Sequence, residues 1–314
     1  MFEEAQLYSP VTSDAGGATV VHLGDGHPGA TDRVYRLRRN RMAASALAWH
    51  PGEPIPRIQY TDAEHEVWRV VCTRLDRLHQ SLACAGYLEG KERLGLPWEQ
   101  VPQLEEVNAR LTPLTGFRYA PAAGLVPLLQ FYGMLAESVF HSTQYLRHHS
   151  TPLYTPEPDV IHEVIGHGNC LASERFAALY RAAGEAARRV TTRDHLEFVS
   201  KVFWFSLEFG VLRESGTVRT YGAGLLSSFG EIQQIGRAEL HPLDIARMGV
   251  QTYDITHFQP LLFCAESFSQ VEDVVGGFFA AADDETVERL LALPPDPRAY
   301  PHAKKWSSIA PTTV

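Results

Sequence analysis

Two histidines and a distant glutamate carry the chemistry that this sequence offers. His162 and His167 stand five residues apart in PDVIHEVIGHGNC, residues 158–170. Histidine is the commonest metal ligand and the near-neutral acid–base group. At about 100° per residue, an α-helix separates positions i and i+5 by about 140°, so two ligands at this spacing require the helix to widen. Gly166, directly before His167, is the residue most able to allow that, and a distorted turn is predicted there. The third candidate is Glu208 in FWFSLEFG, residues 203–210. Its neighbours are Phe203, Trp204, Phe205, Leu207 and Phe209, and a carboxylate buried among them is costly unless it meets a cation. Two imidazoles and one carboxylate on one face match the open triad of non-haem Fe(II) oxygenases. Zinc is the second candidate for this ligand set. Two satisfied core histidines, with Glu208 paired to an arginine, are the alternative without metal.

The scaffold that must position these groups has ordinary globular composition: 45% of the 314 residues are hydrophobic and 21% charged, which excludes collagen-like, coiled-coil and largely disordered chains. A formal net charge of −9 argues against nucleic acid or an anionic membrane as a partner. No apolar run approaches the ~20 residues that cross a bilayer, and the acidic, polar start lacks the apolar core of a signal peptide. Cys72, Cys84, Cys170 and Cys264 form no CxxC pair; buried free thiols in a reducing cytoplasm are expected.

Caps and periodicity predict a mostly α fold with a few short strands. Helices are expected over 32–49, 61–83, 104–111, 125–148, 158–171, 174–190 and 195–212, with late ones in HPLDIARMGVQ and SQVEDVVGGFFAA. Residues 1–30 read as a loose arm containing a short strand at 18–23. GEPIPRIQY, residues 52–60, is extended, and GTVRTYG, residues 216–222, is half of a hairpin. Gly24–Gly29 spells GxGxxG, but Pro28 removes a donor and no βαβ unit follows, so a plain loop is expected.

Taken together, HPGATDRVYRLRR, GEPIPRIQY, VPQLEEVNARLTPLTGFR, STQYLRHHSTPLYTPEPDVIHEVIGH, FWFSLEFG, YGAGLLSSFGE and FQPLLFCAESF closely resemble the catalytic domain of the pterin-dependent aromatic amino acid hydroxylases. The likeness runs in order from about residue 27 to about residue 280. It implies a single catalytic domain over 27–314 behind an arm of 1–26. It also implies Fe(II), a tetrahydropterin and O2 as reactants, and a free aromatic amino acid as substrate. No regulatory domain is expected before the match, and the tail, with Pro294, Pro295 and Pro297 and no heptads, is expected to lack a tetramerising helix. A monomer or weak homodimer is expected.

The resemblance implies roles residue by residue. His162, His167 and Glu208 look like the iron ligands, and Glu163 like the acid that places the pterin and helps activate oxygen. Gly124, Leu125 and Val126 match the segment that meets the pterin edge, Phe131 the stacking aromatic, and His141 and Phe203 further pterin-side positions. Phe203 departs from the tyrosine common in the family. Arg147 matches the arginine that grips the substrate carboxylate, for which a guanidinium fork is suited. Tyr154, Thr155, Pro158, Gly224 and Ser227 line up with the rest of the amino acid site, and Trp204 walls the side-chain pocket. His148 and His149 are expected to be bystanders.

Ile255 aligns with a selector position that is acidic in tyrosine hydroxylases, which disfavours tyrosine. Phenylalanine converted to tyrosine is the expected reaction. Tryptophan 5-hydroxylation and meta-hydroxylation of phenylalanine are the alternatives. Remoter readings are a zinc hydrolase with Glu163 as base and a non-catalytic amino acid or pterin binder.

Overall fold

The described chain begins in a small hairpin. Val11–Ser13 (β1) pairs antiparallel with Thr19–Val21 (β2). The Asp14 carboxylate closes the turn by accepting the N–H groups of Gly16 and Ala18, both at 2.9 Å. The arm expected to be loose is thus folded from residue 11, and Val21 N–H donates to Asn40 Oδ1 at 2.8 Å. The computed structural model describes residues 10–24, 26–255 and 257–293. The tail expected to lack a tetramerising helix lies outside the described residues. Among its described residues the GxGxxG stretch is a loop in which His27 N–H meets Gly24 O and Gly29 N–H meets His27 Nδ1, both at 2.9 Å.

Helices form where caps and apolar spacing predict them. The Asp32 side chain accepts the Val34 and Tyr35 N–H groups at the head of Arg33–Ala48. Thr61 and Glu64 make a reciprocal capping box for Asp62–Leu82, which buries Val67, Trp68, Val71 and Leu75. Leu104–Thr115 buries Leu104, Val107 and Leu111, and Glu174–Arg189 buries Phe176, Leu179, Tyr180 and Ala183 without a side-chain cap at Ser173. Gly184 sets one close packing: a Cβ there would stand 2.3 Å from Ala136 N, so the Leu128–Ala136 helix lies directly against Glu174–Arg189.

Three predicted helices are shorter than the segments assigned to them. Within 125–148 only Leu128–Ala136 is helical. Ser138 turns the chain at φ 56°, and Val139–Ser142 (β4) then runs parallel to Arg118–Pro121 (β3). A short apolar stretch satisfies a buried strand as well as a buried helix, so the pattern of Val139–Phe140 cannot separate them. Likewise 195–212 is α-helical over Arg193–Phe203, widens to a π-helix over Trp204–Glu208, and leaves Val211–Glu214 as a strand (β5). The third helix starts late: in HPLDIARMGVQ only Ile245–Val250 is helical.

β5 pairs antiparallel with Thr217–Thr220 (β6), the anticipated hairpin, across a tight turn at Ser215 and Gly216. Glu239–Pro242 (β7) and Leu261–Ala265 (β8) complete a four-stranded mixed sheet in the order β6-β5-β8-β7. Helix dominates at 53% against 11% strand, the balance the sequence predicts. Trp68, Tyr87, Phe117, Tyr119, Phe176 and Tyr180 are fully buried in the core, and Tyr87 and Tyr119 donate to Ile165 O and Glu163 O of the His162–Gly168 segment at 2.9 and 2.8 Å. All four cysteines are buried and free. No described helix is long and apolar enough to cross a membrane.

Candidate metal centre and active site

The widened turn predicted at Gly166 is a π-helix over His162–Gly168. Its hydrogen bonds run from i to i+5, which brings residues five apart onto one face. Gly166 also admits the neighbouring chain: a Cβ there would lie 2.7 Å from Ala223 O and 3.3 Å from Ser227 Cβ. His162 Nε2 and His167 Nε2 consequently stand 3.0 Å apart. Glu208 ends the second π-helix and brings Oε1 to 3.1 Å from His167 Nε2 and Oε2 to 3.8 Å from His162 Nε2.

The far side of each ring is held. Ser227 donates its hydroxyl proton to Ala223 O at 2.8 Å and therefore accepts from His162 Nδ1–H at 2.9 Å. That tautomer leaves the His162 Nε2 lone pair facing the trio. Tyr180 Oη lies 2.8 Å from His167 Nδ1, and Phe140 packs on the same ring at 4.6 Å. Enclosure and the neighbouring His167 push His162 down to about 4, so its imidazole is neutral. Burial opposes the charge of Glu208, but His167, His162 and the Gly224 N–H outweigh it and hold the carboxyl below the ordinary range.

Glu208 Oε1 is buried and outside hydrogen-bonding geometry. An orphaned carboxylate oxygen beside two inward imidazole nitrogens calls for a divalent cation. The donor set fits iron.

A cleft opens on the trio. Gly124, Leu125 and Val126 line it with Phe131 and His141, and Glu163 and Pro158 face the same space. Glu163 is buried, and burial, Glu208 and Asp159 raise its carboxyl well above the usual range. His141 is likewise shifted downward by burial. Phe203 does not line the cleft; it lies fully buried behind Phe131, ring to ring at 6.3 Å. Trp204 stacks on Tyr253 at 4.3 Å and packs at a tilt against Phe209 at 4.4 Å. Gly224 abuts Phe209, and Ile255 packs against the core.

Arg147 is buried in a fork-to-fork pair with Asp159: Nε donates to Oδ2 at 2.9 Å and Nη2 to Oδ1 at 2.8 Å. Asp159 also accepts the Arg147 and His162 backbone N–H groups at 2.8 and 3.2 Å, tying that arginine to the start of the metal segment. Thr155 caps its own loop through Glu157, and Tyr154 stands half-exposed at its edge. The sequence reading missed Asp159 as the partner of Arg147 and Tyr180 as the support of His167. It placed Ser227 in the amino acid site, whereas its hydrogen bonds serve His162. A roomier cavity of about 390 Å³ lies on the other side of the π-helix, lined by His79, Lys91, Trp98 and Asn169 among others. It lies away from the trio.

Residues 18–289 match the model of the biopterin-dependent aromatic amino acid hydroxylases. The chain belongs to this family. It is therefore a monooxygenase that works with a pterin, non-haem iron and O2 on an aromatic amino acid. The match begins inside the arm expected to end at residue 26. Among relatives, a phenylalanine 3-hydroxylase of Streptomyces coeruleorubidus is 50% identical over 265 residues, covering 84% of this chain and 95% of that protein. A phenylalanine-4-hydroxylase of Bos taurus is 40% identical over 279 residues; the match spans 86% of this hydroxylase and 60% of the bovine protein. A point variant of the phenylalanine hydroxylase of Chromobacterium violaceum superposes with a TM-score of 0.73 at 28% identity, over 82% of this hydroxylase and 94% of that chain.

Proposed function

We propose that this hydroxylase acts on L-phenylalanine and attacks the ring at its 3-position, giving meta-tyrosine. The carrying observation is the 50% identity with a phenylalanine 3-hydroxylase, against 40% with a 4-hydroxylase. It shifts the ring position from the para attack that the sequence reading favours. Ile255 supports phenylalanine over tyrosine, because an apolar branched side chain offers nothing to a phenol hydroxyl.

In this reading His162, His167 and Glu208 hold iron, with Ser227 and Tyr180 fixing the two rings. Iron and tetrahydropterin, when bound, supply the reduction of O2. Gly124, Leu125 and Val126 line the pterin edge, Phe131 gives it a flat face, and His141 and Glu163 close its polar side. Arg147, aimed by Asp159, receives the substrate carboxylate. Tyr154, Thr155 and Pro158 form the loop over it, with Gly224 behind. The Trp204–Phe209–Tyr253 cluster walls the ring and excludes water, with Phe203 backing Phe131. Four buried thiols suit a reducing cytoplasm as the place of action.

The test supplies Fe(II), tetrahydropterin and O2 with equimolar phenylalanine, tyrosine and tryptophan, and separates the products. Meta-tyrosine should dominate. Para-tyrosine would overturn the ring position, and 5-hydroxytryptophan the substrate.

A further inference from the structure

A second group of metal-ligating side chains converges away from the trio. Asp32, His148 and His149 each present a ligand atom, all within 4.8 Å of one another. Asp32 Oδ2 lies 3.3 Å from His148 Nε2. The other atom of each of these two groups is already engaged. Asp32 Oδ1 accepts the Val34 and Tyr35 N–H groups at 2.8 and 3.0 Å. His148 Nδ1 lies 2.7 Å from Ser150 Oγ, and the Tyr35 ring meets the His148 ring edge-on at 5.0 Å. His149 is exposed, with its ring 4.3 Å from that of His148.

We propose that Asp32, His148 and His149 form a second metal site, which takes a divalent transition cation of the cobalt-to-zinc part of the series. Imidazole and carboxylate ligands sit about 2.0–2.1 Å from such an ion, which puts neighbouring ligand atoms of a tetrahedron about 3.3 Å apart. Asp32 and His148 already have that separation. The catalytic trio shows the same range, at 3.0, 3.1 and 3.8 Å. His149 needs only to swing an exposed ring inward. Two imidazoles select against magnesium and calcium, which prefer an all-oxygen shell. Ser150 and the helix N-terminus supply the outer hydrogen bonds that orient such ligands.

Position gives the site a consequence. It joins the cap of the Arg33–Ala48 helix to the residues immediately after Arg147, where Tyr35 already donates to Leu146 O at 2.9 Å. A bound cation cross-links these two segments and pins the chain that carries Arg147.

The test is a Co(II) titration of the full, tag-free, iron-free chain at micromolar concentration, read by visible absorption and by elemental analysis after desalting. Wild type should bind two equivalents, Glu208→Ala one and His149→Ala one. His149 is exposed, so its truncation leaves the fold intact. The comparison of wild type with His149→Ala reads the second site whether or not the catalytic trio fills. A wild type that binds the same number of equivalents as His149→Ala would overturn the proposal. So would loss of all binding in Glu208→Ala.

Discussion

His162 and His167 face one another through Nε2 atoms 3.0 Å apart, although five residues separate them in the chain. The π-turn makes this possible, and Gly166 lets the turn pack against Ala223. Gly166→Ala drives a Cβ into that carbonyl. It should cost about 1–3 kcal/mol of stability, as overpacking does, and lower iron retention. Thermal unfolding and iron content after desalting check this; unchanged values in both would contradict the role of the turn.

Ser227 and Tyr180 hold the rings from behind. Ser227→Ala and Tyr180→Phe should each weaken iron affinity by about 10–100-fold, the usual effect of losing such a support. Folding should be largely retained. Competition with a metallochromic chelator measures it, and wild-type affinity in both variants would show that packing alone orients the imidazoles.

The Arg147–Asp159 pair is fully buried. Asp159→Asn leaves the guanidinium without its counter-charge, which for a buried pair costs about 3–5 kcal/mol. Denaturant titration should show that loss, and KM for phenylalanine should rise more than kcat falls. A large loss of kcat with KM unchanged would place Arg147 in a different role.

His79 provides a pH signature. Burial, then the Lys91 charge, push it from 6.5 down to about 3, and its Nε2 lies 2.7 Å from Leu226 O, next to Ser227. Between these values the unfolded chain binds a proton that the folded chain refuses. The His79 contribution is therefore complete above about pH 6.5 and is lost as pH falls toward 3. From pH 8 to pH 5, the denaturation midpoint of wild type should drop more steeply than that of His79→Gln. Equal slopes would remove His79 from the acid sensitivity.

The convergence of His162, His167 and Glu208 was legible because its signals are local. A five-residue spacing with glycine before the second histidine encodes the π-turn, and a lone carboxylate within FWFSLEFG marks Glu208. The partners of these residues were not legible. Asp159 reads as an ordinary helix-start acid, and Tyr180 as one aromatic of an amphipathic helix; only the tertiary fold brings them to Arg147 and His167. β4 was hidden for another reason. Val139–Ser142 is a four-residue, half-apolar stretch, too short for its pattern to separate a strand from a helical turn, and only the reversal at Ser138 sets it apart from the helix before it. The hairpin of β1 and β2 depends on Asp14 closing its own turn, a side-chain effect that a loop-like composition masks.

The most direct measurement is the mass of the product formed by the Fe(II)-loaded enzyme from phenylalanine under isotopically labelled O2 with tetrahydropterin. The monooxygenase reading requires one labelled oxygen on the ring in wild type and none formed by Glu208→Ala, whose trio is broken. Label-free hydroxylation, or a Glu208→Ala variant as active as wild type, would contradict it.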